Sequence, residues 1–345
     1  MNATTSNYGI RFLWVLLVQA ALVAGCASSQ AAAPQDGAAI EAAVKAAYEA
    51  HKNDKSGKNA DYIPELARVP SDLFAVTVIT VDGKVYSIGD DAHAFSIQSC
   101  SKVFTLCHVL QEGGEAAVLE NVGVEPTGLP FNSTTALGLH KEKPSNPLVN
   151  AGAICTVGLV KASSSDERWA KISATYDAFA GSKLSFDEPV YKSEAATNFR
   201  NRAFACTLFN NGRLKEEPIA VTDVYTKACS AGVTSKQLAA MGATLANRGV
   251  NPLTGKRVLD SKYVPKVLAV MMTAGFYDES GMWSYTSGLP AKTGVGGGIV
   301  AVVPGKMAIV GFCPRLNEAG NSIRSTKAIN DIIKALDLNL FGSGK

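Results

Sequence analysis

Surplus charge is the first thing this chain lacks. Its 33 Lys and Arg nearly balance 30 Asp and Glu, and the resulting formal charge of +3 is too small to point to nucleic acid. Histidine is scarce: His51, His93, His108 and His140 are scattered, and none falls in a ligand spacing. The seven cysteines include no Cys-x-x-Cys pair, so no zinc site is expected. Internal repeats are missing too, and the apolar run from Phe12 to Val23 is too short for a comfortable membrane span. What is left, 345 residues of which 47% are hydrophobic and 18% charged, suits one large or two small globular domains.

The N-terminus carries its own signal. In residues 1–26 Arg11 is the only charged side chain, the apolar run follows it, and Leu22-Val23-Ala24-Gly25-Cys26 resembles the lipobox of bacterial lipoproteins. Cleavage before Cys26 would leave a lipidated cysteine and a possible membrane anchor; the competing reading is an ordinary signal peptide cut elsewhere, or a mispredicted start. Residues 27–37, rich in Ala, Ser and Gln, have no apolar period and read as a tether. The expected location is therefore periplasmic or membrane-anchored, and cytoplasmic if the signal reading fails. Cys100, Cys107, Cys155 and Cys206 sit in apolar sequence, where buried free thiols are expected.

Beyond the tether the apolar period changes several times. Ile40, Val44, Ala47 and Tyr48 recur at helical spacing, so an amphipathic helix is predicted over 38–53. From Phe74 to Ile88 the pattern alternates around Asp82-Gly83, which predicts a half-buried antiparallel hairpin. A helix beginning near Ser99 should stop at Gly113-Gly114, and helical stretches follow at 151–161, 198–210 and 235–248. Strands return at Gly298–Val303 and Met307–Phe312, and 322–336 closes the chain as a helix. The economical assembly is an α+β fold: both hairpins in one antiparallel sheet, the terminal helices packed on it, and an all-helical lobe in the middle. The catalytic domain would span 38–345, with a sheet lobe of 38–95 and 285–345 and a helical lobe of 96–284.

Chemistry concentrates at Ser96-Ile97-Gln98-Ser99-Cys100-Ser101-Lys102-Val103-Phe104, which holds the only Ser-x-x-Lys in the chain. Positions i and i+3 share a helix face, so the Ser99 hydroxyl and the Lys102 amine can come within hydrogen-bonding reach. A serine needs an adjacent base, and a lysine can be that base only if burial lowers its pKa. Downstream, Lys292-Thr293-Gly294-Val295-Gly296-Gly297-Gly298 places a basic residue and several glycines at a strand edge, where backbone N–H groups can approach an oxyanion. Together these match the serine-acylase signature of β-lactamases and penicillin-binding proteins, except that the Ser-Asp-Asn of that signature is absent.

A longer likeness runs through Asp61–Leu66, Phe95–Phe104, Gly128–Ser133, Asn146–Ile154 and Lys292–Gly298, and in these segments the chain resembles the serine-dependent glutaminases from about Ala38 to its end. The resemblance implies the β-lactamase-like fold, hydrolysis of L-glutamine to L-glutamate and ammonia, no metal or organic cofactor, and a homodimer or homotetramer. It makes Ser99 the nucleophile, Lys102 its base, and Tyr62 and Tyr225 proton carriers. Substrate contacts fall on Ser99, Asn150, Glu194, Asn201, Tyr225, Tyr277 and Val295, supported by Lys292 and Gly294. Glu194 could then pair with the substrate ammonium, while Asn150, Asn201 and a tyrosine hold the carboxylate by neutral hydrogen bonds. Two other readings stand beside it: a β-lactamase or penicillin-binding peptidase, and a non-catalytic lipoprotein binding module. The apparent export signal departs from the family, which is mostly cytosolic.

Overall fold

The computed structural model describes Met1 and residues 36–138 and 143–342. The lipidation candidate Cys26, the signal segment, almost all of the tether and His140 lie outside them. The strands among the described residues are β1 (Ala75–Thr80), β2 (Val85–Gly89), β3 (Phe95–Ser96), β4 (Ser185–Phe186), β5 (Ala231–Val233), β6 (Ala291–Thr293), β7 (Gly298–Val303) and β8 (Met307–Phe312).

Both hairpins join one antiparallel sheet, ordered β2-β1-β8-β7-β6. Turn chemistry sets the registers: Gly83 (φ 83°) and Gly305 (φ 73°) take the left-handed conformation that tight reversals need. Strand β1 then pairs with β8 from Ala75↔Phe312 to Thr80↔Met307, which makes it a central strand. All six of its residues are buried, so the expectation of a half-buried hairpin holds only for the edge strand β2. The reason is that helices cover both faces of the sheet. On one face Val76, Val78, Ile299 and Ile309 pack with Ile40 and Val44 of the N-terminal helix Gly37–His51 and with Ile329 and Ile332 of the C-terminal helix Ile323–Ala335. Burial of each such side chain contributes about 1.5–3 kcal/mol.

On the other face lies the helix Ser235–Ala246, at Val300, Val302 and Ala308. It approaches closely because Gly242 has no side chain: a Cβ there would come within 2.6 Å of Val300 Cγ2 and 2.8 Å of Ala308 Cβ. The middle of the chain is helical apart from a small sheet, ordered β3-β5-β4, which the sequence reading lacked. Strands of two or three residues are too short to carry a readable period. The stretch Ser101–Asn121 is two helical segments meeting at a kink, and the first breaks at its glycines as the sequence reading expects. Gly114 leaves the helical conformation (φ 75°, ψ −178°), and the helix resumes beyond it. Helices at Asn150–Leu159 and Phe199–Asn210 fall where the apolar period put them.

Cys100, Cys107 and Cys155 are buried free thiols, but Cys206 is exposed, on the solvent side of its helix. Among the described residues no helix is long and apolar enough to cross a membrane, and no three His, Cys, Asp or Glu side chains converge as a metal site.

Candidate active site

Strand β3 delivers the chain directly into a single 3₁₀ turn, Gln98–Cys100, and the α-helix begins at Ser101. Ser99 is thus held at the mouth of a helix by a short strand paired to β5, with only 6% of its surface exposed. The residue before it is strained: Gln98 has φ 46°, a left-handed conformation costing a non-glycine residue on the order of 1 kcal/mol. Its side chain repays that geometry with two hydrogen bonds, Nε2 donating to Ser96 Oγ at 3.0 Å and to Glu194 Oε2 at 3.2 Å. From the sheet side, Gly294 abuts the turn; a Cβ there would lie 2.9 Å from Ile97 O and 3.3 Å from the Ser99 and Cys100 nitrogens.

Lys102 lies one turn further on and is 2% exposed. Burial pulls its amine down to about 8, with the charges of Cys229 and Glu194 opposing the shift. Its Nζ donates to Asn150 Oδ1 at 2.6 Å and to Leu148 O at 3.2 Å, and among the described residues no hydrogen bond joins it to Ser99. The expected Ser99–Lys102 contact is therefore open here. Ser99 belongs to the 3₁₀ turn rather than the α-helix, and the lysine reaches across to the start of the Asn150 helix. Tyr225 OH donates to the same Asn150 Oδ1 at 3.3 Å, and Asn150 Nδ2 donates to Asn201 Oδ1 at 3.0 Å. One carboxamide thus links lysine, tyrosine and a second asparagine from four separate helices.

A cavity of about 380 Å³ opens over this network. Of the residues singled out from sequence, Tyr62, Ser99, Asn150, Glu194, Asn201, Tyr225 and Val295 line it together. Tyr62 is half-exposed at 53%, whereas Asn150, Glu194, Asn201, Tyr225 and Val295 are buried. Burial raises the Glu194 carboxyl to about 7, against the hydrogen bond from Gln98 and the charge of Lys102. It also holds the Tyr225 hydroxyl well above its ordinary 10. Neither the Ser99 nor the Val295 backbone N–H is engaged in a turn, loop or side-chain hydrogen bond among the described residues.

Tyr277 and Lys292 stand behind the cavity wall rather than on it. The Tyr277 ring packs 4.5 Å from Phe131, which does line the cavity, and Lys292 Nζ sits 4.4 Å over that same ring. The Tyr277 hydroxyl is near enough to Ser99 to be influenced by it and is buried without a hydrogen-bond partner among the described residues. Lys292 is fully buried, donates to Thr293 O at 2.6 Å, and is held well below 10.5 by burial first and by the charge of Lys102 second. Sequence reasoning missed Gln98, Asn198 and Arg200 on the lining. Gln98 lay inside a quoted motif and Arg200 between two of the expected substrate contacts, Glu194 and Asn201, yet nothing in their type marked them. Asn198 has a chemical signature only in three dimensions: Nδ2 donates to Thr226 Oγ1 at 3.0 Å, while the buried Oδ1 has no partner among the described residues.

The arrangement offers a hydroxyl, a buried amine able to lose its proton near neutrality, two unengaged backbone donors and one buried carboxylate. That set can perform acyl transfer on a small polar amide. Comparison with known proteins narrows the amide. A family model described as Glutaminase matches residues 57–341. A glutaminase of Mycobacterium ulcerans is 52% identical over 304 residues, 88% of this chain and 95% of the relative. One of Colwellia psychrerythraea is 51% identical over 302 residues, 88% and 97% of the two chains. Among solved structures, a probable glutaminase, ybaS, superposes with a TM-score of 0.88 at 48% identity, covering 89% of this chain and all 100% of that one. Mglu in its native form gives 0.85 at 34% identity over 89% and 75%.

Proposed function

Since the chain belongs to the glutaminase family and has its β-lactamase-like fold, we propose that it cleaves L-glutamine to L-glutamate and ammonia through an ester on Ser99. The observation that carries this reading is that Ser99, on the cavity lining, stands one turn from a lysine that is only 2% exposed and whose amine burial brings down to about 8. Mglu, with a TM-score of 0.84 at 34% identity, has been solved in a glutamate form, which supports an amino-acid ligand for this chain.

The steps follow from the groups present. The γ-carboxamide carbon of glutamine faces Ser99 Oγ, and Lys102, in its neutral form, accepts the hydroxyl proton as the C–O bond forms. Catalytic hydrogen bonds are often long before substrate arrives, so the amine need only turn from Asn150 Oδ1 toward Ser99. The carbonyl oxygen becomes an oxyanion between the N–H groups of Ser99 and Val295, where each donor is worth about 3 kcal/mol to the transition state. Collapse breaks the C–N bond, and the departing nitrogen takes its proton from Lys102, directly or relayed. Tyr225 shares Asn150 Oδ1 with that amine and stays protonated, so it can relay a proton but cannot serve as the base. Tyr62 at the cavity mouth is the other candidate carrier. Water then attacks the γ-glutamyl ester and Ser99 is regenerated.

Ser99→Ala tests the reading. The variant should fold, keep its glutamine affinity by calorimetry, and lose at least about 10⁴-fold in ammonia release. Retained turnover would exclude Ser99 as the nucleophile.

A further inference from the structure

Among the described residues the Lys102 amine has two hydrogen-bond acceptors, Leu148 O at 3.2 Å and Asn150 Oδ1 at 2.6 Å, and one short segment, 146–150, presents both. This segment leads into the helix Asn150–Leu159, whose N-cap Val149 makes no side-chain capping bond. Asn146 fixes its course instead. The Asn146 Oδ1 accepts the N–H groups of Leu148 at 2.9 Å and Val149 at 3.2 Å; Pro147, which follows Asn146, has no N–H to offer. Its Nδ2 donates to Glu125 O at 2.8 Å and ties the turn to the segment 125–131. The far end is tied to the same segment, since Asn150 N donates to Phe131 O at 3.0 Å. Asn146 is fully buried, and a Cβ on Gly152 would come within 1.8 Å of Asn146 O, so the turn lies directly against the start of the helix.

A single planar unit connects Asn146 to Lys102. The N–H of Val149 and the C=O of Leu148 belong to the same trans peptide, in which they point in opposite directions. Asn146 holds the N–H on one side, and the carbonyl faces Lys102 on the other. Rotation of that plane would break both bonds together. A hydrogen bond at one end also polarises the peptide and strengthens the bond at the other. When the amine turns from Asn150 toward Ser99 in the proposed reaction, Leu148 O is the acceptor that stays with it. The direction of this carbonyl therefore limits where the lone pair of the neutral amine can point.

We propose that Asn146 is a positioning residue for the general base: by clamping the Leu148–Val149 peptide it aims the Leu148 carbonyl at Lys102 and so keeps the amine within reach of Ser99. This rests on Lys102 being the base of the proposed hydrolysis. Asn146 is not on the lining of the cavity over Ser99 and makes no hydrogen bond to Lys102, so it acts through the peptide. The residue type suits the task. Its short side chain carries an acceptor to N–H groups two and three residues on, and the amide adds the donor that Glu125 O takes up.

The test is steady-state ammonia release from L-glutamine by the wild type, Asn146→Ala and Asn146→Ser, with thermal melts as a control for folding. Asn146→Ala removes the acceptor and should lower kcat about tenfold to a hundredfold while KM changes less than about threefold, because a misplaced base is felt in turnover rather than in binding. Asn146→Ser keeps an oxygen for the two N–H groups on a shorter arm and loses the tie to Glu125, so its kcat should fall between. A lowered melting temperature with kcat unchanged would reduce Asn146 to a structural support and overturn the assignment. So would a loss confined to KM, which would mean that the turn serves substrate binding, or equal kcat losses in the two variants. Should Asn146→Ala fail to fold, Asn146→Ser decides alone: a fall in kcat larger than the change in KM supports the assignment, and a kcat equal to that of wild type overturns it. All three proteins keep Ser99 and Lys102, so an error in the underlying reaction would show instead as turnover by Ser99→Ala or Lys102→Arg.

Discussion

Replacing Glu194 by glutamine should make this protein more stable and a poorer binder at once. Only 7% of Glu194 is exposed, and burial lifts its carboxyl from the ordinary 4.5 to about 7. Below pH 4.5 the group is protonated in both folded and unfolded chains and contributes no difference. Between 4.5 and about 7 the folded chain keeps a proton that the unfolded chain has released, so stability falls as the pH rises through that window. At about 1.4 kcal/mol for each unit, the loss reaches about 3 kcal/mol and is complete above pH 7. Glutamine at this position keeps an oxygen for Gln98 Nε2, now 3.2 Å away, and never ionises. The melting temperatures of Glu194→Gln and wild type should therefore coincide near pH 4.5. At pH 8 the variant should melt several degrees higher, given about 2–4 °C per kcal/mol in large domains. At that same pH, calorimetry should find its affinity for L-glutamine sharply reduced, because the ammonium has lost its counter-charge. Parallel melting curves at both pH values would refute the claim that a charge is buried at a cost, and unchanged affinity would remove Glu194 from the ammonium site.

The pH dependence of kcat should follow Lys102: with its amine at about 8, some one-tenth is neutral at pH 7 and half at pH 8, so turnover should climb several-fold between pH 7 and 9. A flat profile across that range would argue against Lys102 as the base, as would activity in Lys102→Arg, since guanidinium cannot give up its proton. Gly294→Ala would drive a methyl to 2.9 Å from Ile97 O, against backbone that cannot rotate away. We expect a stability loss of about 1–3 kcal/mol and a fall in kcat larger than the change in KM, because the turn holding Ser99 shifts. Kinetics and melts like those of wild type would show that the turn does not depend on this glycine.

Legibility along the chain followed the range of the interaction. The Asp82-Gly83 hairpin, β7 and β8 and the helices over 37–51, 199–210 and 323–335 were readable because turn chemistry and apolar period act between near neighbours. The central burial of β1 was not, since alternation describes one strand's faces and not what later packs against them. Gly113-Gly114 was readable as a helix end because glycine favours one, and Gly114 does leave the helical conformation there; that a second helical segment follows at once was not. In the site, the motif spacing marked Ser99 and Lys102. The hydrogen-bond partners of Lys102 came from 46 and 48 residues away, at Leu148 and Asn150. Arg200 had no mark at all, since an arginine on a helix is ordinarily a solvated one.

By itself, then, the sequence determined the long strands and helices, the placement of a hydroxyl and an amine three residues apart, and the family to which those motifs belong. Only the tertiary structure decided what that amine does. The Lys102 amine is brought down, as the proposed base must be, because distant helices close over it and exclude water, and the same enclosure raises the Glu194 carboxyl. Desolvation is a property of all the atoms around a group, and no local spacing encodes it.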